Sequence, residues 1–235
     1  MKNQEKSTAG GTNQNIPWED FVKFVRQLSH DLRNQLNAAE LQSALIGELT
    51  SDDELKSEAR RLRELVSQLG STLQGLSTSV AEPRPVLLPY TVQDFITDLQ
   101  KRIGNDFPEK GSAVKWDISS PGMTLNIDPQ LMQWAAVELF RNAFQHDMAG
   151  GELHVTASVA DRAFTFCIRE PKTSGVDPTQ WMQPLQKVSH GHYSLGLPRA
   201  RSIIVAHGGE LTARFDPASR MLISTITLPF STETS

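Results

Sequence analysis

The chain has 235 residues, 38% hydrophobic and 21% charged, with a net charge of −4 and a pI near 5.9. That balance suits one or two folded domains and gives no general attraction to nucleic acid or an anionic membrane surface, so any phosphate binding must be local. A single cysteine, Cys167, excludes an internal disulfide, and no apolar run approaches the roughly 18 residues of a membrane span or the core of a signal peptide. A reducing, cytoplasmic setting is expected, with Cys167 buried in the apolar run Phe164-Thr165-Phe166-Cys167-Ile168.

Residues 1–15 are polar and rich in Gly, Asn and Thr, and read as a disordered tail. From Trp18 onward, Phe21, Val25, Leu28, Leu32, Leu36 and Ala39 recur at three- and four-residue steps, which predicts one apolar face of a long helix. His30 lies off that stripe, on the side of Lys23, Arg26, Arg33, Asn34 and Asn37, where its imidazole meets solvent or a partner. Thr50-Ser51-Asp52-Asp53 supplies capping oxygens for a second helix, in which Leu55, Ala59, Leu62, Val66, Leu69, Leu73, Leu76 and Val80 follow heptad spacing. The two helices form an antiparallel hairpin. Half of its apolar surface stays wet unless a second copy covers it, so a homodimeric four-helix bundle is expected.

Ala81-Glu82-Pro83-Arg84-Pro85 breaks the helix and reads as a linker, dividing a hairpin at 16–82 from a second domain at 83–230 and a tail at 231–235. The second domain predicts a short run at 86–88, a helix over 92–103, strands over 114–118 and 123–127, and a helix over 129–145. Alternating stretches at 152–160 and 163–169 predict a hairpin about Asp161. Residues 170–193 read as a loop or lid. A helix over 195–207, a stop at Gly208-Gly209 and strands over 210–215 and 222–228 complete an α/β sandwich, making the whole chain α+β.

Three segments have the makings of chemistry. In Ser29-His30-Asp31-Leu32-Arg33-Asn34, a neutral imidazole of His30 can attack a phosphoryl group while the Asp31 carboxylate fixes the ring tautomer and offsets developing charge. Asn34, one turn beyond, can orient a water for acyl phosphate hydrolysis. In Glu138-Leu139-Phe140-Arg141-Asn142-Ala143, the acid and the amide share one side of a helix, and oxygen ligands of this kind suit Mg²⁺ together with nucleotide phosphates. In His190-Gly191-His192-Tyr193-Ser194-Leu195-Gly196-Leu197, glycine precedes a helix whose free amides attract phosphate. No cysteine-histidine cluster points to zinc.

In this order, after a heptad hairpin, these segments resemble the core of the two-component sensor histidine kinases over residues 20–230. The resemblance implies a dimerisation and histidine phosphotransfer hairpin with His30 as phosphoacceptor, Asp31 as adjacent acid and Asn34 at the phosphatase-linked position. It further implies an ATP-binding domain of the fold shared with Hsp90, in which Asn142 binds Mg²⁺ and His146, Glu170, Gly175, Ser194, Gly196 and Leu197 line the nucleotide. Glu138 stands where the kinases carry asparagine, and resembles the acid of the ATP-hydrolysing relatives. The family's Asp-x-Gly-x-Gly run is replaced by Glu170-Pro171-Lys172-Thr173-Ser174-Gly175, with Lys172 where a glycine lets the nucleotide approach the backbone. Trp181-Met182-Gln183-Pro184-Leu185 resembles the phenylalanine-containing box, and Gln35 replaces a common proline, which predicts a straighter first helix.

The expected activity is that of a protein-histidine kinase that phosphorylates His30 from Mg-ATP and passes the phosphoryl group to a response-regulator aspartate. With no room for a sensor in the short tail, input is expected from a separate sensory protein or from the dimer itself. The altered Glu170 segment points to one alternative, a histidine phosphotransferase or response-regulator phosphatase with a decayed ATP domain, and a second, a non-enzymatic dimeric scaffold, requires the Ser29–Asn34 segment to be accidental.

Overall fold

The computed structural model describes residues 18–119, 122–145, 151–160, 163–178 and 195–230. The expected tails, His146, the 181–185 segment, His190, His192 and Ser194 lie outside the described residues. The chain divides into two compact units, one ending at Ala81 and the other starting at Glu82.

The first unit is a helical hairpin, α1 (Trp18–Leu49) and α2 (Asp53–Val80). Asp52 caps α2 by accepting from the amides of Glu54 and Leu55, at 2.8 and 3.4 Å, which satisfies donors that a helix start leaves open. The connection is so short that the helices return antiparallel. The seam within one chain is built from Val25, Ser29 and Ser43 on α1 and from Ala59, Val66 and Val80 on α2. It is narrower than the predicted stripe. Small residues bring the two helices together, while Leu28, Leu32, Leu55, Leu62 and Leu69 stay exposed on the hairpin surface.

The second unit begins with β1 (Leu88–Thr91), α3 (Val92–Asp106) and the single turn α4 (Pro108–Gly111). Then come β2 (Val114–Ser119), β3 (Thr124–Ile127), α5 (Pro129–Gln145), β4 (Leu153–Ala160) and β5 (Ala163–Pro171). It closes with α6 (Gly196–Ala206), β6 (Glu210–Asp216) and β7 (Met221–Pro229). β1 pairs with β3, and a five-stranded sheet runs β2-β4-β5-β7-β6, antiparallel except for the parallel β2–β4 pair. One core joins α3, α5 and α6 to the sheet through fully buried Phe95, Phe140, Phe164 and Phe166, each contributing about 1.5–3 kcal/mol by leaving water. The architecture is the α+β arrangement expected, with Cys167 buried.

Local chemistry sets the element ends. Asp128 caps α5 through the amides of Gln130 and Leu131, at 3.1 and 3.0 Å, and its other oxygen accepts from Val86 at 3.1 Å. Burial works to raise this carboxyl, but the amides of Leu131, Val86 and Gln130, helped by His207, outweigh it and hold Asp128 below the ordinary carboxylate range. A depressed acid contributes stability above its unfolded value and loses it as pH falls through the folded one. Asp128→Ala is therefore expected to cost about 1–2 kcal/mol at neutral pH, with the gap to the parent closing below about pH 4, as read by denaturant unfolding. α6 stops at Gly208, whose φ of +74 only glycine adopts without strain, and Gly208 and Gly209 donate back to Val205 and Ile204 at 2.9 and 3.0 Å. Imidazole Nε2 of the buried His207 accepts from the Asp128 amide at 3.0 Å and its Nδ1 donates to the Ile203 carbonyl at 2.7 Å, joining the end of α6 to the start of α5.

β1 lies at Leu88–Thr91 instead of 86–88, α3 runs on to Asp106, and a third boundary bears on the candidate site. Glu170 was expected to open a loop, yet β5 runs through Pro171 because Glu170 and Pro171 pair with Leu222 and Met221 of β7.

Candidate functional site

On α1, His30 projects outward with 69% of its side chain exposed, beside Asp31 at 55%. The adjacent Ser29 is buried in the seam, and Arg33 one turn on donates to Gln74 of α2, so the helix that presents His30 is held from both sides. His30 Nδ1 lies 3.2 Å from Asp31 Oδ1, which also accepts from Gln27 Nε2 at 2.9 Å. The hydrogen bond from Gln27 first, and that from His30 second, hold the Asp31 carboxyl below its usual range. A carboxylate only accepts, so Nδ1 carries the ring proton and Nε2 keeps its lone pair toward solvent. Asn34 is exposed one helical turn away. These three residues share one helix surface, as expected.

In the second unit, Glu138 and Asn142 lie one turn apart on α5. Leu139 and Ala143 pack inward. Glu138 is ion-paired with Arg141, and its carboxylate sits against Gly196 so closely that a Cβ there would overlap it. A side chain at position 196 would push the Glu138 carboxylate aside. The Asn142 Nδ2 is buried and lacks a hydrogen-bond partner among the described residues. Leu197 is a core side chain, leaving only its backbone for a ligand, and Gly175 is exposed. Glu138, Asn142 and Gly196 therefore come together. Among the described residues no group of three His, Cys, Asp or Glu side chains gathers as a metal cage.

Glu170 occupies a different setting. It is 1% exposed and lies with its Oε2 3.2 Å from the Nζ of Lys172, itself 4% exposed. Burial pushes the Glu170 carboxyl above its usual range, against the pull of Lys172. Sequence reasoning treated Lys172 as an altered glycine and missed that it neutralises Glu170. The signal was present: Phe164, Phe166 and Ile168 form the inward row of β5, and period-two alternation continues that row to positions 170 and 172.

A groove of about 530 Å³ lies elsewhere, lined by Tyr90, Asp98, Arg102, Gln133, Trp134 and Arg199 among others. The Arg199 guanidinium stacks over the Trp134 ring at 4.8 Å. Tyr90 donates to Asp98 at 2.5 Å, and that bond helps push its hydroxyl up to about 12. None of the predicted site residues lines this groove.

The chain is similar in sequence to sensor kinases. It is 26% identical over 213 residues to the adaptive-response sensory kinase SasA of Rippkaea orientalis (strain PCC 8801 / RF-1), covering 80% of this chain and 52% of that protein. It is 22% identical over 211 residues to the alginate biosynthesis sensor protein KinB of Pseudomonas aeruginosa, covering 83% and 35%. The chain thus spans about half of the first relative and about a third of the second. No protein-family model matches the sequence. In structure it is similar to full-length ShkA, which was crystallised with AMPPNP, with a TM-score of 0.64 and 21% identity over 91% of this chain and 47% of that one. The histidine kinase AdeS of Acinetobacter baumannii gives 0.51 and 19% over 86% and 98%, and the catalytic domain of the histidine kinase ThkA gives 0.52 and 12% over 61% and 95%.

Proposed function

We propose that this relative of the sensor histidine kinases, built with their core fold, serves a two-component phosphorelay in which His30 accepts a phosphoryl group and yields it to a response-regulator aspartate. The observation that carries the proposal is the exposed His30 imidazole with Asp31 at its Nδ1. The Nε2 lone pair attacks phosphorus, a P–N bond forms as the donor's P–O bond breaks, and Asp31 offsets the positive charge that develops on the ring. In the onward step a receiver carboxylate attacks phosphorus and Nε2 recovers its lone pair. Asn34, exposed one turn beyond His30, would orient a water against an acyl phosphate, a route to phosphatase action.

Two donors are proposed. Protein-histidine kinase activity from Mg-ATP is supported by the kinship with sensor kinases and by the AMPPNP complex of ShkA. At the phosphate end the residues fit: the half-buried Asn142, whose Nδ2 is buried without a partner among the described residues and whose amide can be turned to present its oxygen, would hold phosphate or Mg²⁺. Bound nucleotide would supply a γ-phosphoryl group. The buried ion pair of Glu170 with Lys172, 3.2 Å apart, stands where the family's Asp-x-Gly-x-Gly run is replaced, and it favours the second reading, phosphotransfer or phosphatase action toward a phosphorylated receiver.

To test the acceptor, the chain is incubated with γ-labelled ATP and Mg²⁺, and separately with a labelled, phosphorylated receiver. Acid-labile label from one of the two donors, absent in His30→Ala, is the expected result. Loss of no label on that substitution contradicts it.

The working unit is proposed to be a homodimer, supported by the exposed leucines at positions 55, 62 and 69 of α2, which repeat every heptad on one surface. Leu62→Glu with Leu69→Glu is expected to convert a dimer to a monomer in sedimentation at micromolar concentration, and an unmodified chain that sediments as a monomer contradicts the bundle. Among the described residues no helix is long and apolar enough to cross a membrane.

A further inference from the structure

We propose that the groove lined by α3, α5 and α6 binds a small organic acid, whose carboxylate answers the unpaired guanidinium of Arg199 and whose hydroxyl or amine donates to the buried amide oxygen of Gln133. The site stands apart from His30, and its test does not depend on the reading of that residue.

The groove measures about 530 Å³, within the range of small-molecule sites. Asp98 and Arg102 come from α3, Gln133 and Trp134 from the first turns of α5, and Arg199 from α6. Pro129 and Leu131 add apolar surface.

Arg199 is a cation without a counter-ion. Its guanidinium lies over the Trp134 ring at 4.8 Å, and its Nε and Nη1 are buried with no acceptor among the described residues. Burial lowers the group from its ordinary value, and no carboxylate opposes that effect. The other charges of the groove are already committed: Asp98 accepts from Tyr90 at 2.5 Å, and Arg102 stands 3.7 Å from Asp106 on its own helix. A desolvated cation is costly until an anion offsets it, and the planar guanidinium suits a carboxylate.

Gln133 supplies the second vacancy. The residue is 7% exposed, and its Nε2 donates to the Phe95 carbonyl at 2.8 Å. That bond fixes the orientation of the amide, because a carbonyl can accept only from its nitrogen end. Oε1 is left buried with no donor among the described residues, a rare condition in a folded protein.

The two vacancies are of opposite kind. An inorganic anion supplies the charge without a donor, and a neutral alcohol supplies the donor without the charge. An aspartate or glutamate side chain of a partner likewise carries charge without a donor beside it. A small hydroxy or amino acid supplies both, and Pro129 and Leu131 can cover its apolar body.

The probes are mandelate and 4-hydroxyphenylacetate, which join a carboxylate, an aromatic body and a hydroxyl at short and long separation. Each is titrated into the full chain while the Trp134 indole N–H is followed by NMR, its resonance identified by loss in Trp134→Phe. At least one probe is expected to saturate with a Kd of about 1 mM or tighter. Its primary amide, which lacks the charge, is expected to bind at least about tenfold more weakly, as is the acid to Arg199→Gln. Phenylacetate, without the hydroxyl, is expected to bind the unmodified chain at least about threefold more weakly than that probe, and Gln133→Met to erase the difference. Saturation by neither probe overturns the proposal. So does an amide that binds as well as its acid, or a folded Arg199→Gln that binds as well as the parent. Should that variant unfold, the amide comparison on the unmodified chain decides alone. An acidic peptide that shifts the Trp134 resonance while both probes fail would overturn the small-molecule site in favour of a protein-docking one.

Discussion

Asp31→Asn is expected to slow phosphoryl transfer at His30 by about 10²–10⁴-fold while leaving the melting temperature of the hairpin unchanged. The substitution keeps an oxygen at Nδ1 and removes the charge. Asp31 is exposed and makes its contacts with Gln27 and His30 on its own helix face, so nothing in the packing depends on it. Its carboxyl is held below the usual range, first by Gln27 and then by His30, so it stays ionised throughout neutral pH and is neutralised only in acid below the ordinary carboxylate range. The advantage of the parent over the variant should accordingly persist across neutral pH and shrink in acid. Single-turnover transfer from a phosphorylated receiver, measured with receiver affinity on the same samples, reads the effect. Equal rates, or a loss confined to affinity, would show that Asp31 does not act through the ring.

The second large effect is on stability. Lys172→Met leaves Glu170 without its cation in a site 1% exposed, and breaking a buried pair from one side costs about 3–5 kcal/mol. Removing both charges with Glu170→Leu and Lys172→Met is expected to recover most of that loss, because a well-packed apolar pair avoids desolvating either ion. The pH dependence has a definite sign. Glu170 is raised by burial against the attraction of Lys172, and a raised acid costs most when it must ionise in the folded state. The deficit of Lys172→Met should therefore narrow as pH is lowered and disappear below the unfolded carboxyl value of about 4.3. Denaturant unfolding of the three proteins, from neutral to acid pH, gives the comparison. A single variant as stable as the parent would mean that the pair is solvated.

Much of the architecture was legible in the sequence because it is written in periodicity. The heptads of α2, the alternation of β4 and β5, Asp52 as cap and the Gly208-Gly209 stop each follow from local rules, and α5 begins and ends where the apolar pattern does. The exposed face of His30 was legible for the same reason. The seam of α1 was harder. Ser29 and Ser43 are buried because small side chains let helices approach, which a search for large apolar residues passes over. The buried pair was harder to see, because lysine and glutamate side chains ordinarily stay in solvent. Alternation along β5 carries Glu170 inward, and its pairing with Leu222 of β7 keeps it within the strand. The link from His207 to Asp128 joins residues far apart in sequence and had no local signal.

His30 is proposed to bear the phosphoryl group, with Nε2 as its reacting atom. Phosphorus and nitrogen NMR of the chain after exposure to a phosphorylated receiver tests this most directly. A single phosphohistidine bonded at Nε2, absent from His30→Ala, is the predicted result. A phosphoryl group on another residue, or on Nδ1 where Asp31 should hold the proton, would contradict it.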